Sequence, residues 1–594
     1  IIYPYASADT DACLRIYNKL KDIIKSNPKW VNLVYFFYPK LQETLTDIQK
    51  NGLCLDVDYT KKIHKKYVEE RKAILETMYK KIPEISYLEE ERQSLITDAD
   101  MEKKKPKEDQ DVDIINKAKK YRGTRKDGLP KYKFNFASPK DKKYLLYYML
   151  GFQLPFDKDY LTDSAISNGV TEDSVTWNDY KADAKSAMPY LESHYDSPAI
   201  KLLSSYSKID KAIGSFIEKL PPLLDNNGLI HTTFNMAVTA TSRLSSSGNF
   251  NMQQLPRRDA NPSHFNYKYP VKGMIKSRFK GGIILNIDFK TLEIYVAAML
   301  SQDNGMEQIL INNEDYHSET AKKIFNLPKD KPVLKNVRSQ AKSASFGTIY
   351  GESAQGLAST EKISVEKAQR IIDGLMKAYP GLEASINYYQ EMAKKKGYVE
   401  TISGFRRRLG TVRSSDRSMA SRALRQAYNA VVQGSGAYCT NTAMININLL
   451  LKKAHMKSLI VATVHDSVVL DVSPDEIIPI AKICSYCFSH LDIPEVVHNP
   501  IKSLDVPDEL KTSDTEFRFP LHGEVELGTN YNNDVSYDPK ELKEFKSPYW
   551  YCKYKYALLT LDESFQNKLI SEDEYNTKVK ILEKNKSIFQ QKVA

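Results

Sequence analysis

Two carboxylates stand where chemistry is to be expected. Asp288 ends the apolar run GGIILNIDFK, and Asp466 sits in the middle of a second apolar run, SLIVATVHDSVVLDV. An aspartate in a buried strand is costly unless it is paired, hydrogen-bonded or bound to a metal. Each alone reads as well as a cap or a strand-edge residue, but two such sites favour a shared cation. Mg²⁺ takes one or two carboxylates and completes its shell with substrate phosphates. A two-metal site of this kind would activate a hydroxyl and stabilise a leaving pyrophosphate.

A second constellation lies in RSQAKSASFGTIYG, where Arg338, Lys342, Phe346 and Tyr350 recur every fourth residue. Four helical residues turn ~400°, so these side chains drift only ~40° per step and share one face. A core stripe would not carry two cations, and a solvated face would not carry two aromatics. A nucleotide suits both, with cations on phosphates and a ring against sugar and base. A third series, Arg425, Asn429 and Gln433 in RALRQAYNAVVQG, has the same spacing and suits duplex edges or phosphates; a solvated stripe is its plain alternative. Arg243, Asn251, Gln253 and Gln254 in TATSRLSSSGNFNMQQLP precede the strand of Asp288.

The elements that must position these residues follow from patterning. Residues 1–25 read as a helix, Pro28 breaks it, and a second helical stretch runs to Gly52 before a long charged helix from Asp58 to Lys81. Residues 83–131 mix both charges with little apolar periodicity and predict an insertion with little core. Helix resumes at the capping Ser138-Pro139 and continues to about Leu220. Short β-rich runs begin at Leu229, and a long helical region from Glu293 to Leu451 separates the two aspartate-bearing segments. The last 60 residues predict two charged helices parted at Asp562-Glu563-Ser564.

With 594 residues, 41% hydrophobic and 27% charged, the chain suits several domains and has no apolar run near the ~20 residues that span a bilayer. A water-soluble protein is expected. Six cysteines give no disulfide framework, which favours a reducing compartment. Cys484-x-x-Cys487 with His490 nearby is half of a zinc pattern; no second pair follows, so buried thiols are expected. The net charge of +11 favours a polyanionic partner, and seven of the 19 arginines fall between Arg406 and Arg425. Ile1 stands where an initiator Met would be, which predicts that a segment upstream has been removed.

In order along the chain, these segments resemble the family A DNA polymerases. DFKTLEIYVAAML is similar to motif A, RSQAKSASFGTIYG to motif B and VHDSVVLDV to motif C; TATSRLSSSGNFNMQQLP and EDYHSETAKKIFNLP resemble the segments before A and between A and B. With FNFASPKDKKYLLYYMLGF and FPLHGEVELGTNYN, the likeness covers about residues 1–534. The resemblance implies a mixed α+β right-hand fold with an antiparallel-sheet palm, helical fingers and a helical thumb. It places the thumb at 30–205, the palm at 206–300 and 437–534, the fingers at 301–436 and a helical extension at 535–594.

By the same resemblance, Asp288, Asp466 and the carbonyl of Phe289 would hold two Mg²⁺ ions, with Mn²⁺ as a substitute. Arg338 and Lys342 would hold the triphosphate, Lys342 also protonating pyrophosphate. Phe346 would pack on the incoming sugar and base, Tyr350 beside the template, and His317 on the β-phosphate. Glu293 would exclude a 2′-hydroxyl. Arg243, Asn251, Gln253, Arg425, Asn429, Gln433 and His465 would lie near the primer terminus and the minor groove. The implied partners are primer-template DNA and dNTPs, and the implied state is a monomer without a membrane.

Departures are visible. Tyr295 stands where bacterial members usually have Arg, and Ser467 where Glu commonly follows the motif C aspartate. YASADTDACLRIY resembles only the last motif of the family's 3′–5′ exonuclease, with Tyr5 and Asp9 in the matching places. Residues 1–29 are therefore expected to be an exonuclease remnant without a metal cage, whose Leu14, Ile16 and Leu20 suit burial. The insertion at 83–131 reads first as a disordered surface loop; a processivity-factor site is the alternative, because some phage members carry one there. The expected activity is template-directed addition of deoxynucleotides to a primer 3′-end. The rival is a DNA-binding replication or repair accessory protein with an inactive polymerase fold. Abundant Lys, Asn and Tyr suggest an AT-rich genome, so the expected location is intracellular, in a host cytoplasm for a phage protein or an organelle matrix for a parasite one.

Overall fold

The computed structural model describes residues 2–236, 238–491 and 521–593. The chain divides into two compact units, one of residues 57–222 and one of residues 1–56 with 223–594. These boundaries differ from 30 and 205, because α2 (Tyr38–Asn51, following α1, Ile2–Lys25) is tied to late parts of the chain. Asn51 donates to the Ile460 carbonyl at 2.8 Å, Asn448 donates to Asp47 at 2.8 Å, and Lys452 reaches Asp47 at 2.6 Å.

In α1, Tyr5 and Asp9 are exposed, and so are Leu14, Ile16 and Leu20, contrary to the expectation of burial. At ~100° per residue Leu14 lies on the side of the helix away from Ile16 and Leu20, so the three do not share one stripe.

The unit 57–222 is helical. It contains α3 (Val57–Lys81), α4 (Glu84–Glu102), α5 (Val112–Lys119) and α6 (Pro198–Ala212). The insertion at 83–131 is not the coreless segment its composition suggests. Ala99, Ile115 and Ala118 are buried together, with Leu95, Ile96 and Ile114 against them. Two of its charges are buried and paired. Glu89 accepts from the Tyr79 hydroxyl (2.6 Å), Lys133 (2.7 Å) and the Phe134 amide (2.8 Å), and Arg92 pairs with Asp141 at 3.1 Å. Burial is tolerated because each charge meets an opposite charge or several donors; composition alone could not register that pairing. Ser138 caps the helix that follows, as its Ser-Pro signal indicates.

The other unit is organised around a five-stranded antiparallel sheet. Its strands are β1 (Ile283–Phe289), β2 (Leu459–Val464), β3 (Ser467–Val472), β4 (Gly523–Gly528) and β5 (Val535–Ser536), in the order β5-β4-β1-β3-β2. Alternation on β1 decides what each face does. Ile283, Leu285 and Ile287 are fully buried, whereas Asn286 and Asp288 point to the other face. Burying each of these aliphatic side chains contributes about 2–3 kcal/mol. The Phe289 ring rests on Phe488 at 4.3 Å between centroids. Gly523 on β4 is required by close approach, since a Cβ there would lie 2.6 Å from Ile287 and 2.8 Å from Phe488.

Between β1 and β2 the chain makes mostly helices. They include α7 (Leu292–Ser301), α8 (Tyr316–Phe325), α9 (Lys335–Tyr350) and the 37-residue α10 (Arg417–Lys453), whose N-cap Asp416 accepts from the amides of Ser418 and Met419. After β3 comes α11 (Ile477–Ser489), where Cys484 and Cys487 are fully buried, and burial pushes both thiols up. Among the described residues no group of three or more His, Cys, Asp or Glu side chains could hold a metal.

The C-terminal region also departs from expectation. α12 (Pro548–Gln566) runs straight through Asp562-Glu563-Ser564, and the break falls after Asn567, before a helix capped by Ser571. Acids and serine are compatible with a helix interior, and each of the two acids has a partner. Tyr575 donates to Asp562, and Glu563 takes a bidentate pair from Arg258 at 2.9 and 3.0 Å together with the Tyr267 hydroxyl at 2.6 Å. No helix among the described residues is long and apolar enough to cross a membrane.

Candidate active site

The two aspartates meet at the tips of adjacent strands. Asp288 is the penultimate residue of β1 and is in register with Ser467, the first residue of β3. Asp466 is not mid-strand as the sequence suggested; it belongs with His465 to the two-residue turn between β2 and β3. His465 takes a left-handed backbone (φ 57°), as tight hairpin turns require. The apolar runs on both sides are strands, and continuous hydrophobicity conceals so short a turn between them.

The two acids are unequally satisfied: Asp466 has a cationic partner in Arg243, and Asp288 has none among the described residues. Asp288 opens to the cleft but is otherwise walled by protein; that desolvation, then the charges of Asp466 and Glu293, push its carboxyl up to about 6. Desolvation also raises Asp466, against the pull of Arg243. Arg243 Nη2 donates to both Asp466 oxygens at 3.0 and 3.2 Å and approaches Glu293 at 3.4 Å. Glu293, in the first turn of α7, also accepts from the Tyr350 hydroxyl at 3.0 Å. A continuous polar chain thus links Asp466, Arg243, Glu293 and Tyr350.

Tyr350 is the last residue of α9, and the expected helix face is realised. Phe346 and Tyr350 lie nearly parallel with centroids 6.2 Å apart, and Phe346 is 5.5 Å from the His317 ring. Lys342 is exposed, without an ion-pair partner among the described residues. Arg338 is occupied: its guanidinium forks onto Asp315 at 3.0 and 2.6 Å, which holds that carboxyl far below the usual range. Asp315 also caps α8, accepting from the Ser318 amide at 2.7 Å. His317 is buried with both ring nitrogens unpartnered, and desolvation with the nearby Arg338 lowers it to about 4. A neutral imidazole with two unused nitrogens is a candidate for a ligand contact.

The remaining expected residues spread along the adjoining surfaces. Gly351 closes α9 with φ 74°, where a Cβ would lie 2.7 Å from Arg425 of α10. Arg425 is exposed and donates to Ser421, Asn429 has a buried Oδ1 without a partner, and Gln433 is half-buried. Asn251 caps a short turn, and Gln253 donates to the Leu244 carbonyl at 3.3 Å. Tyr5 and Asp9, on α1, belong to no cluster of acids among the described residues.

A cleft of about 560 Å³ runs beside the aspartates, lined by Asp288, Asp466, His465 and Gln253, and also by residues the sequence did not single out. Lys272 is half-buried there and its ammonium is lowered by desolvation; Asp534 is pushed up to about 7 by burial and by Glu526. The Arg257-Arg258 pair directly after QQLP was the available signal for this wall.

The residues fit Mg²⁺. Two carboxylates raised by desolvation stand at neighbouring strand tips, Asp288 lacks a cationic partner among the described residues, and the set offers two protein acids rather than a closed cage, as a hard ion shared with phosphates requires. Comparison with known proteins gives the family and the fold. Residues 108–502 match the model of DNA polymerase family A. The chain is 26% identical over 560 residues to the DNA polymerase of Bacillus phage SP01, covering 92% of this chain and 55% of that protein. It is 30% identical over 344 residues to DNA polymerase I of Lactococcus lactis, covering 58% and 36%. The chain spans about half the length of the curated relatives it matches, or less. The polymerase domain of Pol1 from M. smegmatis, solved in complex with DNA primer-template and dNTP, superposes with TM-score 0.62 at 23% identity, covering 84% of this chain and 71% of that one, and shares the fold.

Proposed function

The chain belongs to DNA polymerase family A, and from that premise we propose that it adds deoxynucleotides to a primer 3′-end as a template directs. The observation that carries the reading is the meeting of Asp288 and Asp466 at the open end of the sheet, joined through Arg243 and Glu293 to the cationic and aromatic face of α9.

In this reading Asp288, Asp466 and the Phe289 carbonyl hold the metal ions. Bound there, two Mg²⁺ would lower the pKa of the 3′-hydroxyl and neutralise charge on the departing pyrophosphate. Arg338 and Lys342 take the triphosphate, and Lys342 is placed to donate a proton to the leaving group. His317, held neutral, donates a hydrogen bond to a phosphate oxygen without adding charge. Phe346 stacks on the incoming nucleoside, and Glu293, fixed by Tyr350 and Arg243, walls off the 2′ position. Arg243 has to leave Asp466 as cations arrive, and the primer's phosphates are its natural new partner. Asn251, Gln253, Arg425, Asn429, Gln433 and His465 line the path of the duplex. The unit 57–222 takes the part of the thumb, residues 223–300 and 437–534 that of the palm, and residues 301–436 that of the fingers; residues 492–520 lie outside the described ones.

Primer extension with Mg²⁺ and a single dNTP tests the reading. The parent should extend only the templated base, and Asp466→Ala should bind primer-template yet fail to extend it. An inactive accessory protein would show equal binding and no extension in either form.

A further inference from the structure

The unit 57–222 carries a basic and aromatic cleft that the polymerase reading does not use. It encloses about 590 Å³ between the insertion and the helix begun by Ser138-Pro139. Four of its lining lysines, Lys117, Lys120, Lys131 and Lys140, are exposed and have no carboxylate partner among the described residues. The acids nearby do not balance them. Asp141 is already neutralised by Arg92 at 3.1 Å, which leaves Glu91 alone against four ammonium groups.

Tyr144 and Trp177 line one wall and meet edge-on at 5.2 Å, and beyond the lining Tyr144 stacks on Tyr148 (4.7 Å, 21°). Tyr148 ends the stack 62% exposed, a large ring surface left to water. Across the cleft, the Lys120 ammonium sits 4.6 Å from the centre of the Tyr121 ring.

Unpaired cations and an open ring stack ask for different things from a ligand. Lysines alone would suit any polyanion, including an acidic peptide or a duplex. A duplex keeps its base faces stacked inside, and an acidic peptide has none, so neither uses the tyrosine stack. A single strand offers phosphates and free base faces together, and base-on-aromatic stacking needs no particular sequence. We propose that this cleft is a second nucleic-acid site, for single-stranded DNA or RNA, lying outside the polymerase site and independent of it.

The test uses the full chain saturated with an unlabelled hairpin primer-template, so that the polymerase site is filled, and follows the anisotropy of a fluorescent oligothymidylate. Binding should persist, weaken with salt, and fall more than tenfold in a K117A/K120A/K131A/K140A variant. The salt slope should drop by about 0.7 for each phosphate that the variant no longer neutralises. Tyr148→Leu, which keeps an apolar group at an exposed position, should weaken binding by about 5-fold or more because the terminal ring no longer stacks on a base. A thermal melt equal to the parent's shows that each variant is folded. Absent binding on the hairpin-saturated chain, unchanged binding in the folded lysine variant, or equal competition by polyglutamate at matched charge would each overturn the proposal. Equal affinity for oligothymidylate and oligouridylate is expected, since nothing in the cleft reads a 2′-hydroxyl; a large preference for either would overturn the stacking-and-charge account.

Discussion

Two regions of the site hold charge in opposite ways. At the strand tips, Asp288 and Asp466 share a sign, are desolvated and lie higher than free carboxyls. On α9, Arg338 meets an opposite charge at the surface, Asp315, and the pair is internally satisfied. In the proposed reading, a cation relieves the charge held at the sheet, whereas a triphosphate replaces the contact held by the helix. Rigid strands suit the first because like charges must be kept together against repulsion. A helix with a single ion-pair tether suits the second because the partner has to be exchanged during binding.

Removing an acid should break the contrast most severely. Asp288→Ala is expected to cut the single-turnover rate by about 10³-fold or more while primer-template affinity stays close to the parent's; near-normal chemistry would end the two-carboxylate assignment. Lys342→Ala should cost about 10²–10³-fold in the same rate and weaken dNTP binding, read from the rate's dependence on dNTP concentration. Glu293→Ala, at the junction of the two regions, should lower the preference for dNTP over rNTP by about 10²-fold, measured as a ratio of incorporation efficiencies. An unchanged ratio would give the wall to another side chain.

Smaller effects sharpen the comparison. A carboxyl near 6 in the folded state against about 4 unfolded means that the folded chain holds the extra proton between those values. Metal-free protein should therefore lose stability as pH rises through about 4 to 6, Asp288→Asn should be the more stable form above pH 6, and Mg²⁺ should restore the parent there but not the variant. Melting curves with EDTA or Mg²⁺ read all three. The smallest change is Asp315→Asn, which keeps an N-cap for α8 but frees Arg338. Binding of dNTP should tighten by about 2- to 5-fold; weaker binding would mean that Asp315 orients the arginine rather than competing for it.

Much of this site is legible in the linear order of residues, for reasons specific to each element. The α9 face can be read because helical spacing alone brings Arg338, Lys342, Phe346 and Tyr350 into line. Asp288 can be read because an acid after Ile-Ile-Leu breaks a local rule. The turn at His465-Asp466 was hidden, since a two-residue reversal leaves apolar strands on both sides. The core of α4 and α5 was hidden by its paired charges: Glu89 and Arg92 count as surface residues until Lys133 and Asp141 come beside them. The bond between Arg258 and Glu563 joins positions 305 residues apart, a distance that no local pattern reports.

The antiparallel sheet has a consequence in time. β1 lies in the middle, yet both of its neighbours, β3 and β4, come from much later in the chain. Arg243 and Asp466, which touch, are separated by 223 residues. At about 5–20 residues per second on a ribosome, roughly 10–45 s pass between the synthesis of the first and the second. From its own synthesis, 40 residues after Arg243, to the end of that interval the IILNIDF strand has neither edge paired, a state in which nascent chains are prone to join one another. The helix that packs on its apolar face, α11, carries Phe488 and is encoded after β3, so the strand waits for that cover as well as for its neighbours.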